Sequence, residues 1–179
     1  MFRSALLRAV FIGAATAALS FTPACSSDSS PPASAPSLPA VVYIGDATQA
    51  ELELVLAAPG DSWPWAGGQF QSPAAGAVLS AAEPSEFTWH ADATDSASAG
   101  APDQPQMVYL LVFASPSHAN LLRVFTTSNS YAPDAASWQT LLDVREPITL
   151  SLTTATFEGA QLTADGGPHR GQKLTFTIE

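Results

Sequence analysis

Apolar and polar residues alternate in several short runs of this chain, and clusters of Pro, Gly and Ser separate the runs. The alternating runs occupy residues 86–89, 122–126, 148–153 and 174–179. A period of two places one face of each strand on a core and the other face in water. Residues 107–114 form an unbroken apolar run, which predicts a central strand buried on both faces, and residues 41–44 predict a short strand. The pattern therefore predicts an all-β domain, built as an antiparallel sandwich or barrel.

Two segments favour a helix over a strand. Residues 46–58 are rich in Ala, Glu and Leu, and Asp46 with Gln49 three positions later has the spacing of a capping box. The leucines of this segment also alternate as they would in a strand, but a Pro-Gly pair follows and supplies a helix stop. A second helical turn is expected over residues 134–142, where Asp134 can cap the start.

Several runs also resemble a known kind of sandwich. The segments that carry the resemblance are residues 72–79 (SPAAGAVL), 87–89 (FTW), 109–112 (YLLV) and 127–133 (TSNSYAP). They are similar to bacterial immunoglobulin-like and fibronectin type III-like domains, in which a P-x-x-G strand, a tryptophan strand and an apolar strand follow one another. The usual Tyr-x-Trp-x-Val strand is replaced by ITLSL at residues 148–152. The resemblance covers residues 72–179 and implies a single antiparallel sandwich of that type. It indicates little about function, because this fold hosts many unrelated activities.

The first residues have the pattern of a secretory signal peptide. Arg3 and Arg8 precede an uncharged, mostly apolar or small run over residues 9–21, and small residues follow. The run is shorter than the ~20 apolar residues that cross a bilayer. We therefore expect residues 1–24 to be a leader that directs export.

The only cysteine of the chain follows this leader directly. Residues 21–27 read FTPACSS, which resembles the lipobox of bacterial lipoproteins, in which a small residue precedes the lipidated cysteine. Ala24 and Cys25 match that pattern, whereas Thr22 and Pro23 depart from it. The resemblance implies several acyl chains on Cys25, and two or more are what stable anchoring requires. The alternative is a secreted protein that is cleaved near Ala24 and keeps a free thiol.

The remaining chain divides by composition into three parts. Residues 25–39, the lipidated cysteine and a Ser/Pro-rich stretch, predict an extended tether without a core. Residues 40–71 predict a strand and helix packed on the sandwich, and residues 72–179 predict the sandwich itself. Ser26 after the cysteine favours the outer membrane, if the sorting rule of some lipoproteins applies, with the domain facing the periplasm or the medium.

Charge narrows the range of partners. The chain has 6 Lys and Arg against 16 Asp and Glu, for a formal net charge of −10. Nucleic-acid binding is disfavoured, because phosphates must be neutralised by Lys and Arg. Electrostatic docking on anionic lipid is disfavoured for the same reason. The remaining candidate partners are the membrane, through the N-terminal lipid, and an envelope protein or glycan.

Catalytic and metal motifs are missing from the sequence. His90, His118 and His169 are scattered over strand ends and loops, without zinc spacing, and no serine lies in a G-x-S-x-G elbow. We therefore expect no enzyme, no cofactor and no metal. An enzyme with an unfamiliar site would instead bring together at least two of His90, His118, Asp92 and Asp165.

Two further features could bind a ligand. Asp92, Asp95 and Asp103 share one loop, but they lack the ordered spacing of a calcium site, so a solvated acidic loop is the preferred interpretation. Trp63 and Trp65 lie two residues apart and could present flat faces to a sugar or a peptide. Packing of these two residues onto the sandwich is preferred, since tryptophan is highly buried on average.

The sequence thus predicts a non-catalytic, monomeric, lipid-anchored protein of the cell envelope, acting as a structural or protein-interaction module. The alternative is a carbohydrate- or peptide-binding module that uses Trp63 and Trp65. Trp89 and Trp138 are expected in the core, because each falls on the apolar phase of its element.

Overall fold

A computed structural model describes residues 40–61, 67–91 and 105–179, all within the compact unit Pro36–Glu179. The strands are β1 (Val41–Ile44), β2 (Gln69–Ser72), β3 (Val78–Leu79), β4 (Phe87–His90), β5 (Gln106–Ala114), β6 (Leu122–Thr126), β7 (Ser130–Tyr131), β8 (Ile148–Glu158), β9 (Gln161–Leu162) and β10 (His169–Ile178). The helices are α1 (Gln49–Ala57) and α2 (Ala135–Leu142). The expected all-β class is confirmed, with one helix after β1 and another before β8.

The strands form two sheets. The larger sheet has the order β1-β6-β5-β8-β10-β3, and the short β9 pairs with the end of β8. The smaller sheet has the order β2-β4-β7. The apolar run expected to be central is β5, which lies between β6 and β8. The two-sheet architecture expected from the alternating runs is therefore confirmed.

Strand direction departs from the antiparallel prediction at both edges of the larger sheet. The central pairs β5–β6, β5–β8 and β8–β10 are antiparallel. β1 pairs with β6 in parallel, and β3 pairs with β10 in parallel. The prediction was wrong here because alternation reports which face a side chain occupies, and not the direction of the neighbouring strand.

The main core lies between the two sheets. The larger sheet contributes alternate residues of its central strands, and α2 contributes Trp138 and Leu141. From the smaller sheet, Phe87 packs against Phe113 with ring centroids 5.2 Å apart, and Trp89 packs against Tyr109 at 5.5 Å. Both Trp89 and Trp138 are buried, as the apolar phase of their elements predicted.

A second core lies on the opposite face of the larger sheet. Leu52 and Val55 of α1 cover five buried residues of that sheet, namely Val108, Leu110, Phe125, Ala155 and Phe157. β5 is therefore buried on both faces, which confirms the interpretation of its unbroken apolar run. Tyr43 of β1 lies at the edge of this region and contacts Phe125 edge-on, with ring centroids 6.3 Å apart.

The two helices begin at capping residues. In α1 the Glu51 amide donates to Thr48 Oγ1 at 3.3 Å, and the Thr48 amide donates to Glu51 Oε2 at 2.8 Å. The predicted Asp46–Gln49 box was wrong, because Thr48 with Glu51 completes the reciprocal bonds two residues later. In α2 the predicted cap is confirmed, since Asp134 Oδ1 accepts from the Ser137 amide at 2.7 Å.

Candidate functional site

The residues singled out from the sequence for binding lie outside the described ranges. They are Cys25, Trp63, Trp65, Asp92, Asp95 and Asp103. Lipidation, aromatic recognition and the acidic loop accordingly stay predictions. The described residues do define how the chain enters and leaves the segment that contains Trp63 and Trp65, and where the histidines lie.

The chain on both sides of residues 62–66 is bonded to the start of β10. Before that segment, the Asp61 amide donates to Pro168 O at 3.2 Å, and the Arg170 amide donates to Asp61 O at 3.0 Å. After it, the Gln172 amide donates to Gly68 O at 3.0 Å. A β-carbon on Gly67 would collide with the backbone of Gly171, so glycine is required at position 67 for these two backbone segments to lie this close. The two flanks of the Trp63–Trp65 segment are therefore anchored on one short stretch of β10.

His169 reinforces this attachment with its side chain. His169 Nδ1 lies 2.7 Å from Asp61 Oδ1, and its Nε2 lies 3.1 Å from the backbone oxygen of Asp165. The His169 side chain is 12% exposed, whereas that of Asp61 is 59% exposed. We call this group, Asp61 with His169 and the Asp165 carbonyl, the histidine clasp. It joins Asp61, the first residue of β10 and the turn that precedes β10.

A second polar cluster lies at the β5–β6 hairpin. Ser117 Oγ donates to Glu146 Oε2 at 2.7 Å, and the Ser117 amide approaches the same oxygen at 3.3 Å. His118 Nδ1 lies 2.9 Å from Ser117 Oγ. The hydrogen bonds from the Ser117 and Ser115 side chains, in that order, lower the pKa of Glu146, and nearby His118 acts in the same direction. Glu146 is thus held ionised and ties the hairpin to the loop before β8.

The order of these bonds does not suit a serine nucleophile. A serine hydroxyl has a single proton, and here that proton is donated to Glu146. His118 Nδ1 must then carry a proton of its own and donate it to Ser117 Oγ. That nitrogen cannot accept the serine proton, which is the step that activates the nucleophile in a Ser-His pair. In this arrangement the cluster joins the β5–β6 hairpin to the loop before β8.

Next to this cluster is an open cleft of about 430 Å³. Its lining comes from α2, the following loop, β10 and the turn after β3: Ala81, Leu142, Arg145, Glu146, Pro147, Thr177, Ile178 and Glu179. Arg145 has a φ of 51°, in the left-handed region that non-glycine residues adopt infrequently.

Two of the residues named for an unfamiliar enzyme site lie at opposite ends of the larger sheet. His118 lies in the hairpin beyond the Ala114–Thr149 pair, and Asp165 lies in the turn bonded to Thr156. The path along β8 from Thr149 to Thr156 is about 23 Å at ~3.3 Å per residue. These two groups do not converge, and His90 lies at the end of β4 in the smaller sheet.

Across residues 40–61, 67–91 and 105–179, no three His, Cys, Asp or Glu side chains are grouped so as to hold a metal ion. In that part of the chain no helix has the length and apolarity to cross a membrane.

Sequence reasoning missed the partners of both histidine clusters. Asp61 and His169 are 108 positions apart, and Ser117 and Glu146 are 29 apart. Asp61 follows the Pro-Gly helix stop, and Glu146 precedes a proline. The local sequence therefore predicts an ordinary loop carboxylate at each position. Only the pairing of strands brings them to their partners.

Comparisons with models of protein families, with curated proteins and with solved structures find no match to this chain.

Proposed function

We propose that this chain is a non-catalytic, lipid-anchored protein of the bacterial cell envelope that acts as a structural or protein-interaction module. The leader over residues 1–24, the single Cys25 and the Ser/Pro-rich stretch after it support export and anchoring. Ser26 supports the outer membrane as the destination. A net charge of −10 supports a partner other than nucleic acid.

The non-catalytic part of the proposal is supported by the role of the two polar clusters, which is to join loops to one another. His169 bonds to Asp61 and to a backbone oxygen, and His118 bonds to a serine that is itself bonded to Glu146. Each cluster joins loops at one end of the larger sheet. These are the contacts expected of a rigid module, in which polar groups fasten connections between strands.

Exposed apolar side chains supply surface for an interaction. Tyr43, Leu54 and Leu56 are 41%, 42% and 54% exposed, and all lie in β1 and α1, at the start of the described domain. Among the described strands β1 pairs with β6 only, so it forms an edge of the larger sheet. An edge strand can accept a further strand from a partner, through its main-chain groups. We assign the interaction surface to Tyr43 and the rest of β1.

We further propose that the sandwich is of the immunoglobulin-like or fibronectin type III-like kind. The tryptophan strand β4 and the apolar β5 follow one another in the order that the resemblance implies. Trp89 and Tyr131 pack into the core between the two sheets, as anchoring aromatic residues of such a domain would.

Intact mass tests the anchor. The protein is purified from membranes of a bacterial host, beside Cys25→Ala and the matched control Ser27→Ala. We expect a mass equal to the chain from Cys25 plus acyl and glyceryl groups in the wild type and the control. Cys25→Ala should release an unmodified protein. An unmodified, membrane-free wild type would contradict the proposal.

Site-specific cross-linking tests the interaction surface. A photoreactive residue replaces Tyr43 in cells, and the matched control replaces Thr140, an exposed residue of α2. We expect a discrete envelope adduct from position 43 that is missing from position 140. Equal adducts from both positions, or from neither, would count against an interaction surface at β1.

The second candidate function is recognition of a glycan or a peptide by Trp63 and Trp65. It is favoured by the anchoring of both flanks on β10, which holds the ends of that segment in a fixed relation. Acrylamide quenching discriminates, because Trp89 and Trp138 are buried and should be protected. Strong quenching that is lost in the double variant Trp63→Phe/Trp65→Phe supports this candidate, whereas weak quenching of the wild type removes it.

A further inference from the structure

We propose that the outer face of the larger sheet, the face that α1 partly covers, binds an anionic polysaccharide beside α1. The contacts are two cations of β10, Arg170 and Lys173, and two hydroxyl residues of β8, Ser151 and Thr153. We call these four residues the basic face. They are separate from β1, so the inference goes beyond the proposed function and does not depend on the lipid anchor.

Positive charge is concentrated in the larger sheet, although the chain as a whole is acidic. Of the four Lys and Arg residues in the described ranges, three lie in strands of that sheet, namely Arg123, Arg170 and Lys173. The same strands contain a single carboxylate, Glu158 at the end of β8, and the other described acidic residues lie in helices, turns and loops. Charges farther away than a Debye length, about 10 Å at 0.1 M salt, are largely screened. The local positive charge therefore governs which ions this surface attracts.

A β-bulge in β10 places both of its cations on one face of the sheet. Arg170 is in register with Thr153 and Lys173 with Ser151, so three steps along β10 correspond to two steps along β8. Residues three positions apart in a regular strand point to opposite faces. The extra residue of the bulge restores the same direction, and re-aiming a side chain is a common role of bulges. Leu174 is buried in the core between the sheets, so the neighbouring Lys173 is directed to the other face.

Cross-strand register shows that this face is the one that carries α1. Thr153 is paired with Leu110, which belongs to the core under α1, and Ser151 is paired with Val112, which packs against that core. Paired residues of neighbouring strands point to the same side of a sheet. The basic face is therefore a flat surface that begins where the helix ends, with Cα positions about 5 Å apart across strands and about 7 Å apart along them.

The side chains of the basic face are available to a partner. Arg170 and Lys173 are exposed, and neither forms a salt bridge with a carboxylate of the described residues. Ser151 Oγ donates to Val112 O at 3.4 Å, and the same oxygen can still accept a hydrogen bond. A guanidinium binds a carboxylate through two parallel hydrogen bonds, and the Lys173 ammonium offers a second cation for the next anionic group.

A peptide cannot join the sheet as a strand at this position. The open side of β10 is already occupied, because the Gln172 amide donates to Gly68 O at 3.0 Å and the Phe70 amide donates to Gln172 Oε1 at 3.1 Å. A partner must therefore be recognised by side chains, and the side chains of the basic face are hydroxyls and cations.

The polarity of the basic face also disfavours a protein interface and a membrane. The centre of a protein interface and insertion into lipid both use apolar groups. The large apolar residues that are exposed in the described ranges belong to β1, α1 and β3, and not to β8 or β10: Tyr43, Leu54, Leu56 and Val78.

A carboxylated polysaccharide matches what the basic face offers. Sugar hydroxyls both donate and accept hydrogen bonds, as Ser and Thr side chains do, and the carboxylates pair with the two cations. One carboxylate per sugar is a lower charge density than the one charge per about 1.7 Å of duplex DNA, so a few cations are enough for binding.

The test is calorimetric titration of the purified full-length protein with polygalacturonate, a carboxylated polysaccharide, beside dextran, an uncharged one. We expect polygalacturonate to bind at about 50 mM salt and more weakly at about 200 mM, because salt screens the contacts, and dextran not to bind. Polyglutamate and phosphatidylglycerol vesicles are tested in parallel. Equal or tighter binding of either would assign the surface to an acidic polypeptide or a membrane and overturn the proposal.

Single substitutions locate the binding surface. Arg170→Gln and Lys173→Gln should each weaken polygalacturonate binding about fivefold, as expected when one exposed charge contact is lost, whereas Lys173→Arg should retain it. The matched control Arg145→Gln removes the same charge from the loop before β8 and should bind like the wild type. Absence of polygalacturonate binding, equal binding of dextran, or an equal loss in Arg145→Gln would each overturn the proposal.

Discussion

The larger sheet is buried on both faces, but the two faces are covered in different ways. The inner face meets a second sheet, and the covering residues Phe87, Trp89 and Tyr131 are aromatic and come from two strands that are distant in sequence. The outer face meets one nine-residue helix, and the covering residues Leu52 and Val55 are aliphatic and local. The difference indicates that the inner face holds the whole fold together, whereas the outer face holds one added element.

The largest expected effect is on the inner face. Phe87 is fully buried and contacts Phe113 and Phe176, with ring centroids 5.2 Å and 5.3 Å away. We expect Phe87→Ala to lower the free energy of unfolding by about 3–5 kcal/mol, through lost burial and the cavity left behind. Denaturant unfolding measures this loss. The control Val78→Ala, at a position 61% exposed, should change stability by less than about 0.5 kcal/mol.

The outer face should respond less to a matched truncation. Leu52 of α1 is 4% exposed and packs on the sheet, so we expect Leu52→Ala to lower the free energy of unfolding by about 2–3 kcal/mol. Amide protection should fall in α1 first, while the strands keep theirs. The control Leu56→Ala is on the same helix but 54% exposed and should have little effect. A loss equal to that of Phe87→Ala, with protection lost everywhere, would contradict the distinction between the faces.

Removal of the α1 cap should destabilise the same helix by a smaller amount than Leu52→Ala. Thr48→Ala leaves the Glu51 amide without its side-chain acceptor, so we expect a loss of about 1 kcal/mol by denaturant unfolding. Asp46→Ala is the informative comparison, because the sequence alone pointed to Asp46 as the cap. Equal losses in the two variants would show that the helix begins earlier than Gln49.

The smallest expected change in stability concerns α2 on the inner face, and it depends on pH. The backbone hydrogen bond from Ser137, followed by its side-chain bond, lowers the pKa of Asp134. A carboxyl whose pKa is lower in the folded state stabilises it above the unfolded pKa, and that stability is lost as pH falls through the folded pKa. Asp134→Asn can still cap the helix but does not titrate there. The stability of the Asp134→Asn variant should fall less than that of the wild type between pH 7 and strongly acid solution. Thermal unfolding across that pH range measures the difference. A parallel fall in both proteins would exclude Asp134 as a contributor.

Local pattern was enough to predict much of the fold. Ile148, Leu150 and Leu152 alternate with hydroxyl residues, and all three are buried on the inner face as that alternation requires. Asp134 lies one residue before α2 and caps it, because a carboxylate at that position satisfies a free helix amide. These features depend on neighbours two to four positions away, which a single sequence displays directly.

The polar clusters could not be predicted in the same way. His169 is a loop-flanking histidine in the sequence, and Asp61 is one of many carboxylates. Their contact exists because the chain before residue 62 pairs with the start of β10, across 108 positions. The prediction of the α1 cap failed for a different reason. Asp46 and Thr48 both offer side-chain acceptors, and only Thr48 has Glu51 three positions later to complete the reciprocal bond.

Composition and local spacing by themselves determined that this chain has an acidic, strand-rich domain, with most of its large apolar residues on the buried phase of the strands. Those properties follow from solubility, from the period of two and from capping, all of which act within a few residues. Tertiary structure alone decided the parallel pairing at both sheet edges, the placement of α1 on the outer face, and the two histidine clusters. Each of these is a contact between segments far apart in the chain, and its free energy appears only when the sheets pack together.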